Sequence, residues 1–131
     1  MRCKPVPIQV FIVEDEPHLQ LLYKHMFTLK GIDILDIASN GEEAVSKFRD
    51  FSKKPDIILM DFRMPLMNGI DASKKILLID KTARIIFTSA DNSVKDEALS
   101  LGVINFLLKP LDLIKLIDQL PKIVNDNETE F

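Results

Sequence analysis

The stretch Ile57–Ile70, IILMDFRMPLMNGI, decides how the rest of the chain is read. Four apolar residues, Ile57 to Met60, run directly into an acid, Asp61. A short apolar run bounded by turn residues reads as a strand covered on both faces, as in a parallel sheet. A carboxylate at the end of a buried strand is costly unless something needs it there. Asp61 is therefore the residue to explain.

The same kind of run recurs on either side. Strands are expected over Ile8–Val13, Ile32–Ile37, Ile57–Met60, Arg84–Thr88 and Asn105–Leu108. Stretches with helical spacing lie between them. HLQLLYKHMFTLKG sets Leu19, Leu22, Met26 and Leu29 on one side, and Gly31 supplies a stop. NGEEAVSKFRDF groups Ala44, Val45 and Phe48, with Asn40 as the cap. GIDASKKILLID follows, then SVKDEALSLG, which opens on Ser93 and closes on Gly102. DLIKLIDQLPKIV is the last helix, expected to kink or end near Pro121, which lacks a backbone donor. Five strands alternating with five helices predict a three-layer α/β domain around a parallel sheet.

Composition agrees with one domain and excludes several function classes. The 131 residues carry a net charge of -3 and are 47% hydrophobic, enough for a substantial core. Lys53-Lys54 and Lys74-Lys75 are isolated pairs and form no basic stripe, which argues against direct nucleic-acid binding. Cys3 is the sole cysteine, read as an inert terminal thiol, and a reduced, cytoplasmic setting is expected. The N-terminus has no signal-peptide core, and no apolar run reaches the roughly 18 residues of a membrane span. The domain is expected over residues 1–124, with 125–131 as a frayed acidic tail and no output domain in this chain.

In a sheet of this kind, sites form beyond the carboxyl ends of the strands, where strand order reverses. The residues there form a set. The first strand ends in Glu14, Asp15 and Glu16, and the third in Asp61. The fourth ends in Thr88, Ser89 and Asp91, and the fifth in Lys109. Crowded carboxylates repel unless a cation sits among them, and a few oxygens plus water suit Mg²⁺. A lysine supplies a compact positive charge for an anion, and a carboxylate can act as a nucleophile towards phosphorus.

With these residues in order, the chain resembles the receiver domains of two-component response regulators, in particular the single-domain chemotaxis regulators. The features are the acidic pair Glu14-Asp15, Asp61 at the end of the third strand, Met64-Pro65, Asn68-Gly69, Ser89-Ala90, Phe106 and Lys109-Pro110. The likeness runs from about Ile8 to about Val124. It implies a flavodoxin-like (βα)5 fold with strand order 2-1-3-4-5.

The resemblance also implies roles. Asp61 takes a phosphoryl group from a sensor histidine kinase or phosphotransfer protein. Asp15 and Asp61 bind Mg²⁺, the Arg63 backbone carbonyl adds a ligand, and Glu14 reaches the metal through water. Lys109 pairs first with Asp61 and then with the phosphoryl oxygens, which Ser89 also contacts. Phe106 reports the event on the face of helix 4, strand 5 and helix 5, competing for burial with Leu113, Leu116 and Ile117. That face meets a downstream effector and is a candidate for weak dimerisation of an otherwise monomeric chain. Arg63 and Asp91 flank the path of the hydrolytic water and tune phosphoryl lifetime.

Plainer readings stand beside these. Glu14 and Asp15 also suit the start of the next helix. Thr88 competes with Ser89 for the site, and Ser89 is favoured by the Ser-Ala match. Phe106 is equally a core residue. His18, His25 and the methionines are ordinary helix and packing residues. Two other functions compete: a pseudo-receiver that no longer takes phosphate, and a phosphatase with an Asp nucleophile. The first should have lost Asp61, Lys109 or the acidic pair. The second wants an acid two residues beyond the nucleophile, where this chain has Arg63. Glu14, Ser89 and Phe106 stand where Asp, Thr and Tyr are more usual in the family.

Overall fold

The computed structural model describes residues 6–126; Cys3 and residues 127–131 lie outside them. Strands and helices alternate: β1 (Gln9–Val13), α1 (Pro17–Leu29), β2 (Asp33–Ala38), α2 (Gly41–Asp50), β3 (Ile57–Asp61), α3 (Gly69–Ile79), β4 (Ile85–Ser89), α4 (Lys95–Leu101), β5 (Asn105–Leu108) and α5 (Leu113–Asp126). The five strands form one parallel sheet in the order β2-β1-β3-β4-β5. The fold class and strand order expected from the sequence are both found.

Each strand alternates its side chains between two apolar layers. On one face, Phe11, Ile58, Met60, Phe87 and Phe106 pack against Val45 and Phe48 of α2, Ile76 of α3 and Ala98 of α4. On the other, Val10, Ile12, Leu59 and Ile86 pack against Tyr23 and Phe27 of α1 and Leu116, Ile117 and Leu120 of α5. Complete burial of each such large side chain contributes about 1.5–3 kcal/mol. β3 lies in the middle of the sheet with all five residues buried, which accounts for its unbroken apolar run.

Three local expectations are corrected. In α1 the buried residues are Tyr23 and Phe27, while Leu22 and Leu29 are exposed. The two rings bury more area than leucines would and turn the helix towards them, leaving Leu19 and Met26 at the edges of the contact. Ser93 does not open α4. A single 3-10 turn, Asn92–Val94, precedes the helix, and the Asp91 carboxylate caps it by accepting from the Ser93 N–H at 2.8 Å. Of the two outcomes expected at Pro121, a kink or an end, the end does not occur: α5 runs on to Asp126. Ile123 and Val124 continue the apolar stripe onto the core, and Arg84 donates to the Val124 carbonyl at 3.4 Å. Asn125 and Asp126, assigned to the tail, close this helix.

The competition expected between Phe106 and Leu113, Leu116 and Ile117 is also corrected. Phe106 belongs to the layer under α4, and the three aliphatic residues belong to the layer under α5. The sheet separates them, because successive residues of a strand point to opposite faces.

Candidate functional site

β1 pairs with both β2 and β3, so the strand order reverses beside it. Glu14 follows β1 and Asp61 ends β3, which brings both acids to that crevice. Both are buried, Glu14 at 1% and Asp61 at 5% exposure. Asp15, between β1 and α1, stays exposed. Carboxylate oxygens of Glu14, Asp15 and Asp61 lie within 4.8 Å of one another.

Lys109 arrives from the end of β5, before a cis bond to Pro110. Its ammonium lies 2.9 Å from Asp61 Oδ1 and 2.7 Å from Glu14 Oε1. The second contact was not expected from the sequence. The longer arm of Glu14 was the available signal, since an aspartate there would end one methylene short. Gln20 was missed as well. Its amide donates to the Glu14 carbonyl and to Ser39 Oγ, tying α1 to the ends of β1 and β2.

The hydroxyls of β4 divide between roles. Thr88 Oγ1 donates to the Met60 carbonyl at 3.4 Å, inside the sheet. Ser89 is buried, and its Oγ accepts from the Asp91 N–H at 2.9 Å. Ser89, Arg63, Asp15, Asp61 and Lys109 line one pocket of about 180 Å³ with Glu14. Arg63 reaches Asp91 across its mouth, with Nη2 3.4 Å from Oδ2. Phe106 is not in the pocket. It stacks on Phe87 with centroids 6.0 Å apart.

The loop after Asp61 is fixed by its own backbone. Leu66 has φ 68°, and across it the Met67 N–H donates to the Pro65 carbonyl at 2.7 Å. This is the rarer and more strained form of the γ-turn. The Met67 carbonyl accepts from the Gly41 N–H at 3.0 Å, which docks the loop on α2. Asn68 caps α3 by accepting from the Asp71 N–H at 2.9 Å. Gly69 lies so close to the Asp61 carbonyl that any Cβ there would overlap it. The Asn-Gly pair thus presses the start of α3 against the end of β3.

Two buried acids share one ammonium. Burial raises the Asp61 pKa above its ordinary value, and the Lys109 hydrogen bond opposes without cancelling. Glu14 is raised by burial and by the charge of Asp61. For Lys109, burial acts downward, but the hydrogen bonds to Glu14 and Asp61 outweigh it and its pKa is raised. The pocket carries more negative than positive charge, so its carboxylates suit a hard divalent cation.

The comparisons agree with this geometry. The response regulator receiver domain profile matches residues 10–121. The chain is 38% identical to the chemotaxis protein CheY of Thermotoga maritima over 117 residues, covering 88% of this chain and 96% of that protein. It is 34% identical to CheY of Bacillus subtilis over 119 residues, covering 89% and 98%. Among solved structures, CheY in the CheX-CheY-BeF3-Mg complex of Borrelia burgdorferi aligns with a TM-score of 0.83 at 34% identity, covering 90% of each chain. The response regulator TrrA of Thermotoga maritima, in complex with Mg²⁺ and a beryllium fluoride, aligns at 0.78 and 29%, covering 88% of this chain and 98% of that one. The chain is also 34% identical to the protein-glutamate methylesterase/protein-glutamine glutaminase of Bacillus subtilis, of which it covers 34%. A central buried aspartate bridged by lysine, the flanking acids and the profile match agree: this chain belongs to the response regulator receiver family of two-component signalling.

Proposed function

We propose that this receiver domain accepts a phosphoryl group on Asp61 from the phosphohistidine of a sensor kinase or phosphotransfer protein. An Asp61 carboxylate oxygen forms the new bond to phosphorus as the bond from phosphorus to the imidazole nitrogen breaks. The imidazole leaves with that electron pair. The observation that carries this reading is the Lys109 ammonium 2.9 Å from the buried Asp61 carboxylate, with Asp15 open beside it.

Each residue has a defined task. Lys109 is placed to neutralise charge that gathers on the phosphoryl oxygens, without reorganisation during the step. Ser89 Oγ, now accepting from the Asp91 N–H, can turn its own hydrogen to a phosphoryl oxygen. Asp15 and Asp61, with the Arg63 backbone carbonyl, would hold Mg²⁺, and Glu14, whose carboxylate lies in the same cluster, would reach it through water. When bound, Mg²⁺ supplies positive charge to the transferring group and orients it.

The phosphoryl group brings roughly -1.5 to -2 charges. Ser89 and Phe106 pass the change to the face of α4, β5 and α5, where Leu99, Ile104, Leu108 and Ile114 are exposed and suited to an effector protein. Retention of Asp61, Lys109 and both leading acids weighs against a pseudo-receiver, and Arg63 weighs against a phosphatase. No described helix is long and apolar enough to cross a membrane, and we place the protein in the cytoplasm as a monomer or weak dimer through the α4-β5-α5 face.

The test is intact mass after incubation with a small phosphodonor and Mg²⁺. Wild type should gain one phosphoryl group, and omission of Mg²⁺ or Asp61→Asn should abolish the gain. Uptake by Asp61→Asn at the wild-type rate would remove Asp61 as nucleophile.

A further inference from the structure

We infer that Asn68 is a modification site of its own chain, gated by the β3–α3 loop. While Met67 is docked on α2 the asparagine is inert. Once the loop lets go, the Gly69 nitrogen attacks the Asn68 side chain and the residue deamidates.

The chain has two Asn-Gly pairs, Asn40-Gly41 and Asn68-Gly69, and each opens a helix. The fold asks for each residue separately. The asparagines are caps: Asn40 Oδ1 accepts from the Glu43 N–H at 2.8 Å, and Asn68 Oδ1 from the Asp71 N–H at 2.9 Å. The glycines are fixed by close approach. A Cβ on Gly41 would overlap the Met67 carbonyl, and one on Gly69 the Asp61 carbonyl. Together these demands create the dipeptide most open to self-attack, because glycine sets no side chain beside its own nitrogen. The fold must therefore keep both pairs closed.

In the reaction the Gly69 nitrogen forms a bond to Asn68 Cγ. The bond from Cγ to the side-chain nitrogen breaks, and ammonia leaves with the Gly69 proton. Water then opens the five-membered ring at one of its two carbonyls, giving aspartate or isoaspartate. The structure blocks the first step three times. The Gly69 N–H is committed to the Phe62 carbonyl at 2.8 Å. The Asn68 side chain is turned to Asp71 by the cap. Its backbone is extended, with ψ 172°, whereas ring closure needs Cβ and the Gly69 nitrogen on the same side of the Cα–C bond. All three depend on where the loop lies. Its tie to α2 is the Gly41 N–H donating to the Met67 carbonyl at 3.0 Å, one residue before Asn68. The loop also holds Leu66 at φ 68°, a strain that release relieves. Asn40 belongs to α2 and keeps its cap and its ψ of 170° when the loop moves. Isoaspartate at position 68 would lengthen the main chain by one carbon where Gly69 abuts Asp61, so the modification bears on the phosphoacceptor.

The experiment incubates the full chain in mildly alkaline heavy-oxygen water, which marks each ring opening, and maps the peptides. Folded wild type should keep Asn68, and the chain unfolded in urea should convert it. Gly41→Ala sets a Cβ against the Met67 carbonyl and pushes the loop off α2. Shown to be folded by circular dichroism, it should convert Asn68 about tenfold faster than folded wild type, since overpacking of this kind eases release. A wild-type rate in folded Gly41→Ala overturns the inference. So does conversion as fast in folded wild type as in urea. If Gly41→Ala does not fold, wild type alone decides. Below the urea concentration that unfolds the domain, Asn68 conversion should rise in step with hydrogen exchange of the Gly41 amide. Conversion that rises only with global unfolding overturns the inference. The isoaspartate fraction should label more slowly with a small phosphodonor than the unmodified chain, and equal labelling would overturn the consequence for Asp61. If the unmodified chain fails to label at all, the phosphoacceptor reading falls, and the peptide map still decides whether Asn68 is the gated site.

Discussion

Phe106 lies stacked on Phe87, their ring planes 15° apart, and Phe87 in turn meets Phe62, the residue after Asp61, at 6.2 Å between centroids. A row of three rings therefore runs from the site to β5, all on the α4 side of the sheet. Ile117 lies on the other side. Residues with no shared partner contribute to stability additively, within about 0.3–0.5 kcal/mol. Ile117→Val should cost about 0.5–1.5 kcal/mol, and combined with Phe106→Leu the two losses should add in urea denaturation. A coupling well beyond that limit would mean that the two layers respond together, as the sequence reading expected.

Gly69→Ala tests why Asn-Gly follows Asp61 so closely. The added Cβ would overlap the backbone carbonyl of Asp61, which cannot move without moving the carboxylate. Overpacking of this kind costs about 1–3 kcal/mol. Phosphodonor labelling should slow as well, because the strain falls on Asp61. A variant with wild-type stability and wild-type labelling would contradict the close approach.

Tyr23 offers a pH test with little background, since the chain has one tyrosine and no tryptophan. Burial pushes its hydroxyl from 10.0 to about 12, with the charges of Glu14 and Asp61 adding and Lys109 opposing. A raised folded pKa means that the folded state holds the proton more tightly than the unfolded state. The associated stability is complete below pH 10.0 and is lost as pH rises through about 12. Near-ultraviolet absorbance should show phenolate forming near that upper value in the folded protein and near 10 after unfolding in urea. Ionisation of the native protein near 10 would place Tyr23 in water.

Much of this was legible in the sequence, and the exceptions share a cause. β3 and β4 were legible because a strand covered on both faces tolerates only apolar residues, and the acids, hydroxyls and lysine then fell at strand ends. The strand order followed from the family likeness. What stayed hidden depends on neighbours distant in sequence. The turn of α1 towards Tyr23 and Phe27 is set by the core that receives the rings. The passage of α5 through Pro121 is set by apolar contacts beyond it. The Glu14–Lys109 pair joins residues 95 positions apart, and only the fold brings them together. The Asn40 cap, by contrast, was local and was found, accepting from the Glu43 N–H at 2.8 Å.

The last prediction concerns how long a phosphoryl group survives on Asp61. Arg63 spans the pocket mouth to Asp91 at 3.4 Å and lies over the Phe62 ring, 5.6 Å from its centroid. The contact is exposed, so its effect on stability is small and screened by salt. Its effect on kinetics is a separate matter. Water attacking a phosphoryl group on Asp61 would approach the phosphorus in line with the bond to Asp61, and a guanidinium held across the mouth would obstruct that path. Asp91 also caps the turn before α4 through its other oxygen. Asp91→Asn therefore separates the two duties: it can keep the cap but loses the charge that holds Arg63. Arg63→Ala and Asp91→Asn should each shorten the phosphoryl lifetime, measured by loss of label after the donor is removed. The double variant should be no shorter-lived than Arg63→Ala, because with Arg63 gone Asp91 has nothing left to hold. An Arg63→Ala lifetime equal to wild type would show that the bridge does not shield the site.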